Sequence, residues 1–453
     1  MNRYPMKKIS AVTTALATGA ALTGCTFGAS IDTLMAPPKL GAEQEQIYTK
    51  LTESLGTTNI SLKYPKSGKY LSAFIIEDID GDGGNEAVVF YERNNHAADE
   101  NPLRINVLDK EDDKWTSAYD IPAAGSEIEE VKISKLGSND RVNIIIGTSM
   151  VNRSEKNVSV YIYADGRLQE PPTFSKSKSY AYFDVVDLDL DGQNELLRLI
   201  GATGESEAMA EAFKLDESGT YYRSHLELSD SFSDFDISYG KVGDSEMGVY
   251  IDALSGAGTV QTDVLYMKDG ALHKVFKTAA ESEKTIRSAG CPCFDVDGDG
   301  SIEIPVQVTA PGYVASPESE QLRLTEWKQI SGDDKLEDLY TSYYSVNDGY
   351  IFLFPEKWAG KVTVKRDTLN DEIVFCAYTV NDKGEVIMGR ELLRIFRAED
   401  EPSCADRISA GYMLMHTKGE SSYLALIPSS LDTEGDGLSI TSGDAAVGFR
   451  YRD

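Results

Sequence analysis

Three stretches of the chain carry acids at a spacing that suits a hard cation. They read Asp78-Ile79-Asp80-Gly81-Asp82-Gly83-Gly84-Asn85-Glu86, Asp187-Leu188-Asp189-Leu190-Asp191-Gly192-Gln193-Asn194-Glu195 and Asp295-Val296-Asp297-Gly298-Asp299-Gly300-Ser301-Ile302-Glu303. In each, carboxylates at positions 1, 3 and 5 face a common centre, Gly at 6 permits a sharp turn, the carbonyl of position 7 can point inward, and Glu at 9 closes the cage. The donors are all oxygen, the set that holds Ca²⁺ at about 2.3–2.6 Å with water completing the shell. The plainer alternative is an acidic surface turn that uses Asp and Gly for their turn propensity alone. Three copies in register favour the cation.

Little else in the chain points to chemistry. The four histidines, His96, His225, His273 and His416, stand singly, with no metal spacing and no nucleophile motif around them. No Gly-rich phosphate loop, GxSxG elbow or zinc motif is present. Cys291, Cys293, Cys376 and Cys404 are too few for a disulfide scaffold in a chain of 453 residues, and the Cys291/Cys293 pair is expected to be structural thiols or one disulfide. Two of the many acids could form a glycosidase pair on an exposed face, so a hydrolase or lyase stays open.

The segments flanking the three loops say what holds them. An EF-hand needs a bidentate Glu at position 12 and helices on both sides. Position 12 is here Val89, Arg198 or Val306, and the flanks are apolar β-type runs: LSAFIIE and EAVVFYE, YAYFDVV and ELLRLIG, CPCF and IEIPVQV. Each loop therefore joins two strands of a hairpin. The pattern F-x-x-x-D-x-D-x-D-G-x-x-E followed by an apolar strand resembles the FG-GAP and VCBS repeats of integrin-type β-propellers. That resemblance implies calcium ligands at Asp78, Asp80, Asp82, Gly84 and Glu86, at Asp187, Asp189, Asp191, Gln193 and Glu195, and at Asp295, Asp297, Asp299, Ser301 and Glu303. Gly84, Gln193 and Ser301 would contribute backbone carbonyls.

The loops start 109 and then 108 residues apart, about twice the length of a four-stranded blade. Degenerate copies without the Asp triplet lie between them, IEEVKISKLGSNDRVNIIIGTS around 128–149 and DFDISYGKVGDSEMGVYIDA around 234–253. Blade starts are thus expected near 72, 128, 181, 234 and 289. Second hairpins such as LRINVLDKEDDKWTSAYDIP and VLYMKDGALHKVFKT follow them. The expected fold is mainly β, a calcium-loop β-propeller with five or more readable blades over 57–339, followed by a small α+β domain over 340–453. The latter resembles a domain common in exported proteins of Gram-positive bacteria. Residues 41–56 predict an amphipathic helix through Ile47, Leu51 and Leu55, with Gly56 past its end. Trp358 and Tyr350 are expected in core or turn packing rather than on a ligand surface.

The N-terminus sets the compartment. Arg3, Lys7 and Lys8 precede an uncharged run from Ile9 to Leu22, too short for a helical membrane span, and the run closes on Leu22-Thr23-Gly24-Cys25. This is similar to the lipobox of bacterial lipoproteins. It implies a signal peptide over 1–24, lipid on Cys25, a tether over 25–40, and a globular protein held outside the cell membrane. The 74 acidic and 44 basic residues, a formal net charge of −30, exclude nucleic acid as a partner. The expected role is a non-catalytic surface module engaging a protein or a cell-wall polysaccharide. Two other classes stay open: an extracytoplasmic hydrolase or lyase, and an accessory subunit of a membrane assembly.

Overall fold

The computed structural model describes residues 40–452, apart from 95–101, 152–153, 175–177, 204–206, 229–233, 244–245, 256–257, 333 and 429–434. The signal segment, Cys25, most of the tether and His96 lie outside the described residues. No helix among the described residues is long and apolar enough to cross a membrane.

The chain is mainly β, and its described strands form six antiparallel sheets laid down in sequence order. The first holds Ile60–Leu62, Phe74–Glu77, Glu86–Arg93, Leu103–Glu111 and Lys114–Pro122. The second holds Glu127–Lys135, Val142–Ser149, Lys156–Ala164, Arg167–Gln169 and Ser179–Tyr180. The third is Tyr182–Val186, Glu195–Ile200, Met209–Leu215 and Tyr221–Glu227; the fourth is Phe235–Val242, Glu246–Ser255, Thr259–Lys268, Ala271–Lys274 and Arg287–Ser288.

Within each of these four sheets, successive long strands pair side by side. The strand after the first turn is buried on both faces. Ala87 to Tyr91, Ile144 to Ile146, Leu196 and Leu197, and Val249 to Ile251 are all shut from solvent, which explains their unbroken apolar runs. The outermost long strand is wetter: Lys114–Pro122 and Tyr221–Glu227 alternate exposed and half-buried residues. Asp269 and Gly270 make the expected tight turn, both with positive φ (51° and 75°), as a two-residue hairpin of matching twist requires.

Apolar clusters join each sheet to the next. Val88 and Phe90 pack with Val131 and Ile144; Leu136 and Val160 pack with Leu196 and Phe213; Leu197 and Leu199 pack with Val249 and Leu265; Tyr250 and Val264 pack with Ile304 and Ile330. Polar ties follow the same course. Lys63 bridges Glu92 and Glu127, Lys132 bridges Glu130 and Asp184, and the Tyr182 and Tyr239 hydroxyls meet at 3.0 Å. The helix Ala42–Leu55, inside the expected 41–56, buries Ile47 and Leu51 against Trp115 and Leu108 of the first sheet.

The fifth sheet differs from the sequence reading. Its strands are Ile304–Thr309, Arg323–Ile330, Leu336–Ser345 and Tyr350–Leu353, completed by Phe449–Tyr451 from the far end of the chain. Residue 340, where the Asp loops stop in the sequence, lies inside Leu336–Ser345. The sixth sheet, Val362–Asp367, Glu372–Val380, Val386–Ala398, Ser421–Leu426 and Met413–Lys418, shares one core with the fifth through Phe352, Trp358 and Phe375. The helices Glu401–Ser409 and Ser442–Gly448 accompany these two sheets.

Candidate metal centres

The first Asp loop joins Phe74–Glu77 to Glu86–Arg93, the second joins Tyr182–Val186 to Glu195–Ile200, and the third leads into Ile304–Thr309 across an isolated Phe294–Glu303 bridge; all three fold on one hydrogen-bond plan. The closing Glu turns one oxygen back to the start of its own loop. Ile79 N–H donates to Glu86 Oε2 at 2.9 Å, Leu188 N–H to Glu195 Oε2 at 2.9 Å, and Val296 N–H to Glu303 Oε2 at 2.8 Å. The Asp at position 1 accepts from the Gly N–H at position 6: Gly83 at 3.1 Å, Gly192 at 2.9 Å, Gly300 at 2.9 Å. The Asp at position 5 accepts the N–H of Gly84, Gln193 or Ser301 at 2.7, 2.8 and 2.6 Å. Position 2 is the anchor: Ile79, Leu188 and Val296 are buried, so the loop is pinned to the core. That apolar position repeats in the sequence and could have been read there.

The geometry gathers carboxylate oxygens within 4.8 Å of one another from Asp78, Asp80 and Glu86, from Asp187, Asp189 and Glu195, and from Asp295, Asp297 and Asp299. Asp82, Asp191 and Glu303 fall outside these groups and hold the loop backbone through the hydrogen bonds above. The Glu carboxyls are closed off from water, 0% exposed for Glu195 and Glu303 and 5% for Glu86. Burial first, and the neighbouring Asp charges after it, push all three up to about 7. Glu195 Oε1, Asp189 Oδ1 and Glu303 Oε1 are buried with no hydrogen-bond partner. Buried polar atoms are almost always partnered, and an orphaned carboxylate oxygen aimed among other carboxylates fits a cation. The donor set, all oxygen, fits calcium.

The sheets between the loop-bearing ones hold the second and third loops in place. Gly137, in the first turn of the second sheet, donates to Asn194 O at 2.8 Å, and Ser138 and Leu136 bond Leu215. Gly137 has φ +68°, and a Cβ there would come within 2.2 Å of Leu215 O, so only glycine can approach this closely. In the fourth sheet, Lys241 N–H donates to Gly300 O at 3.0 Å and Gly243 N–H to Ile330 O at 3.2 Å. The degenerate copies thus keep the hairpin and lack the acids, and their turns grip the acidic loop of the following sheet.

Several further polar side chains face the loops. Lys214 Nζ lies 3.0 Å from Asp189 and 3.9 Å from both Asp191 and Glu195, and the Tyr340 hydroxyl donates to Asp297 at 2.7 Å. Asp109, bonded by the Tyr163 hydroxyl at 2.7 Å, adds its charge to those acting on Asp80 and Glu86. Sequence reasoning missed these residues because nothing in their local pattern marks them; the strand pairing brings them to the loops.

The remaining candidates are structural. His225 and His273 are exposed, and His416 stacks on Tyr451. Trp358 and Tyr350 are core residues, the Trp358 indole N–H donating to Leu438 O at 2.7 Å. Cys291, Cys293, Cys376 and Cys404 are free thiols. Cys293 is wholly enclosed, donating to Asp252 Oδ1 at 3.1 Å beside the buried Arg287–Asp252 ion pair.

No family model and no curated protein matches the sequence. The solved structures similar to this chain include three β-rich proteins. A putative 6-phosphogluconolactonase from Bacteroides uniformis is 13% identical over 73% of this chain and 94% of its own, with a TM-score of 0.26. A periplasmic gluconolactonase of Pseudomonas aeruginosa is 13% identical over 73% of this chain and 88% of its own, with a TM-score of 0.27. The polysaccharide lyase Uly1 is 8% identical over 81% of this chain and 92% of its own, with a TM-score of 0.28. At these TM-scores nothing is transferred from them to this chain.

Proposed function

We propose that the chain is an exported lipoprotein, anchored through Cys25 outside the cell membrane, and that its successive sheets are the blades of a calcium-stabilised β-propeller serving as a non-catalytic binding module. The observation that carries this reading is the loop plan repeated in the first, third and fifth sheets, with buried carboxylate oxygens left without hydrogen-bond partners in the second and third loops. The ion would rigidify each hairpin and, through Asn194 and Gly300, the contact with the preceding sheet. With extracellular modules binding at about 10⁻⁴–10⁻³ M, millimolar calcium adds of order 1 kcal/mol per filled loop. The ligand class is a surface protein or a cell-wall polysaccharide.

The test is co-sedimentation of the detergent-solubilised chain with insoluble cell-wall material, in millimolar calcium and in chelator, beside thermal unfolding in both. Calcium-dependent retention and a raised melting temperature support the reading. A melting temperature indifferent to calcium removes its basis.

A second reading, an extracytoplasmic hydrolase or lyase, is favoured by one cleft of about 1120 Å³ away from the loops, lined by Glu155, Glu207, Glu211, Asp234 and Arg223. Glu211 is already paired with Arg198 and Arg223, which leaves Glu155, Glu207 and Asp234 as the acids to substitute if turnover of a polysaccharide is found.

A further inference from the structure

The three loops are not equivalent, and the difference lies in one residue of the strand that pairs with the strand following each loop. In the first sheet Ala87 pairs with Leu108, in the third Leu196 pairs with Phe213, and in the fifth Ile304 pairs with Lys328. One step back along the strand that follows the loop stands the closing acid, Glu86, Glu195 or Glu303. One step on along its partner strand stands Asp109, Lys214 or Gln329. The same place therefore holds an acid, a base and a neutral amide, all half-buried.

Each of the three reaches its loop. Asp109 adds a carboxylate to those acting on Glu86 and Asp80. Gln329 contributes, after Ser301 and the charge of the nearby Lys241 ammonium, to holding the Asp299 carboxyl below its ordinary range. Lys214 touches three of the second loop's four carboxylates, at 3.0 Å from Asp189 and 3.9 Å from Asp191 and Glu195. Lys241 lies near the third loop but bonds the Asp299 carbonyl oxygen, at 3.3 Å, rather than a carboxylate.

We propose that Lys214 is a tethered cation that takes the place of calcium in the second loop, so that only the first and third loops fill at millimolar calcium. The proposal rests on the calcium reading of the loops and deepens it. Its physics is Coulombic: an ammonium within 4 Å of the carboxylates offsets part of their charge and repels a divalent ion, whereas Asp109 in the first loop attracts one. The partnerless Glu195 Oε1 marks where a ligand would seat, and the ammonium is the group on the chain that faces it. The second loop binds at least about tenfold more weakly than the others as a result.

The test counts ions. Equilibrium dialysis of the purified full chain in detergent against millimolar radiolabelled calcium is expected to give about two ions per chain, with Lys214→Gln raising the count to about three. Gln329→Lys, which installs the ammonium in the third loop, is expected to lower it to about one. Lys214→Gln should also depress the melting temperature in chelator and recover it in calcium. If wild type and K214Q bind the same number with the same affinity, and Q329K loses none, the tethered-cation proposal is overturned while the calcium reading stands. If no variant binds calcium, the calcium reading itself falls. Should K214Q fail to fold, Lys214→Met and the independent Q329K variant still decide, because each alters the charge at this one position.

Discussion

Val296 and Glu303 close the third acidic loop on itself: the Val296 N–H donates to Glu303 Oε2 at 2.8 Å, while Oε1 of the same buried carboxylate has no hydrogen-bond partner. One oxygen is structural and the other is free for an ion, so the two roles can be separated by substitution. Glu303→Gln keeps an acceptor for Val296 and removes the charge. Its chelator-treated form should melt no lower than wild type, and it should lose one loop's share of the calcium response. Glu303→Ala orphans the buried Val296 N–H as well, and should cost about 1–3 kcal/mol with or without calcium. Thermal unfolding of both variants in chelator and in calcium gives the comparison; equal loss in the two would mean that Glu303 has no role beyond the hydrogen bond.

Gly137→Ala is expected to be among the most damaging single-methyl additions to the chain. The left-handed φ of +68° already costs an L-residue about 1–2 kcal/mol, and the added carbon would meet Leu215 O at 2.2 Å, forcing the second and third sheets apart. Urea denaturation should show a loss of more than about 2 kcal/mol. A neutral result would show that the turn can move away from Leu215 at no cost.

Leu190 is where the second loop keeps the left-handed backbone of the others but puts a side chain on it. It has φ +57°, where the first and third loops place Gly81 and Gly298. Leu190→Gly removes a left-handed side chain worth about 1–2 kcal/mol of strain against about 0.5–1 kcal/mol of added chain entropy. A modest rise in melting temperature, independent of calcium, should follow; a fall would mean that the half-exposed Leu190 side chain makes a contact of greater value.

The thiols offer a test of the core around the fourth and fifth sheets. Burial pushes the Cys291 thiol up to about 11 and the Cys293 thiol further still. A maleimide at neutral pH should therefore leave both unmodified in the native protein and label them only in denaturant, as read by peptide mass spectrometry. Rapid native labelling of Cys293 would contradict its enclosure by Arg287, Asp252 and Thr262.

The sequence made the hairpins legible because each acidic loop is flanked by apolar runs, and the degenerate copies keep those runs without the acids. It could not show Lys214, Asp109 and Gln329 as a set, because strand register, not local pattern, makes them equivalent. Nor could it show that residue 340 lies within a strand. The Asp loops end there, but the backbone ladder continues through Tyr343 and Tyr344, which pair with Phe352 and Ile351. The Arg287, Asp252 and Cys293 network was equally hidden, since its members come from three separate segments that meet only in the packed structure.

Phe449–Tyr451, which pairs with Tyr350–Phe352, closes the fifth sheet from about a hundred residues further along the chain. A chain is made N-terminus first, so the first four sheets can form while the fifth still lacks an edge, and that edge arrives only after the sixth sheet has been made. Loss of Phe449–Tyr451 would then injure the interior of the molecule rather than a peripheral segment. Proteolytic cleavage just before Phe449 would leave Tyr350–Leu353 as an unpaired edge on the core it shares with the sixth sheet.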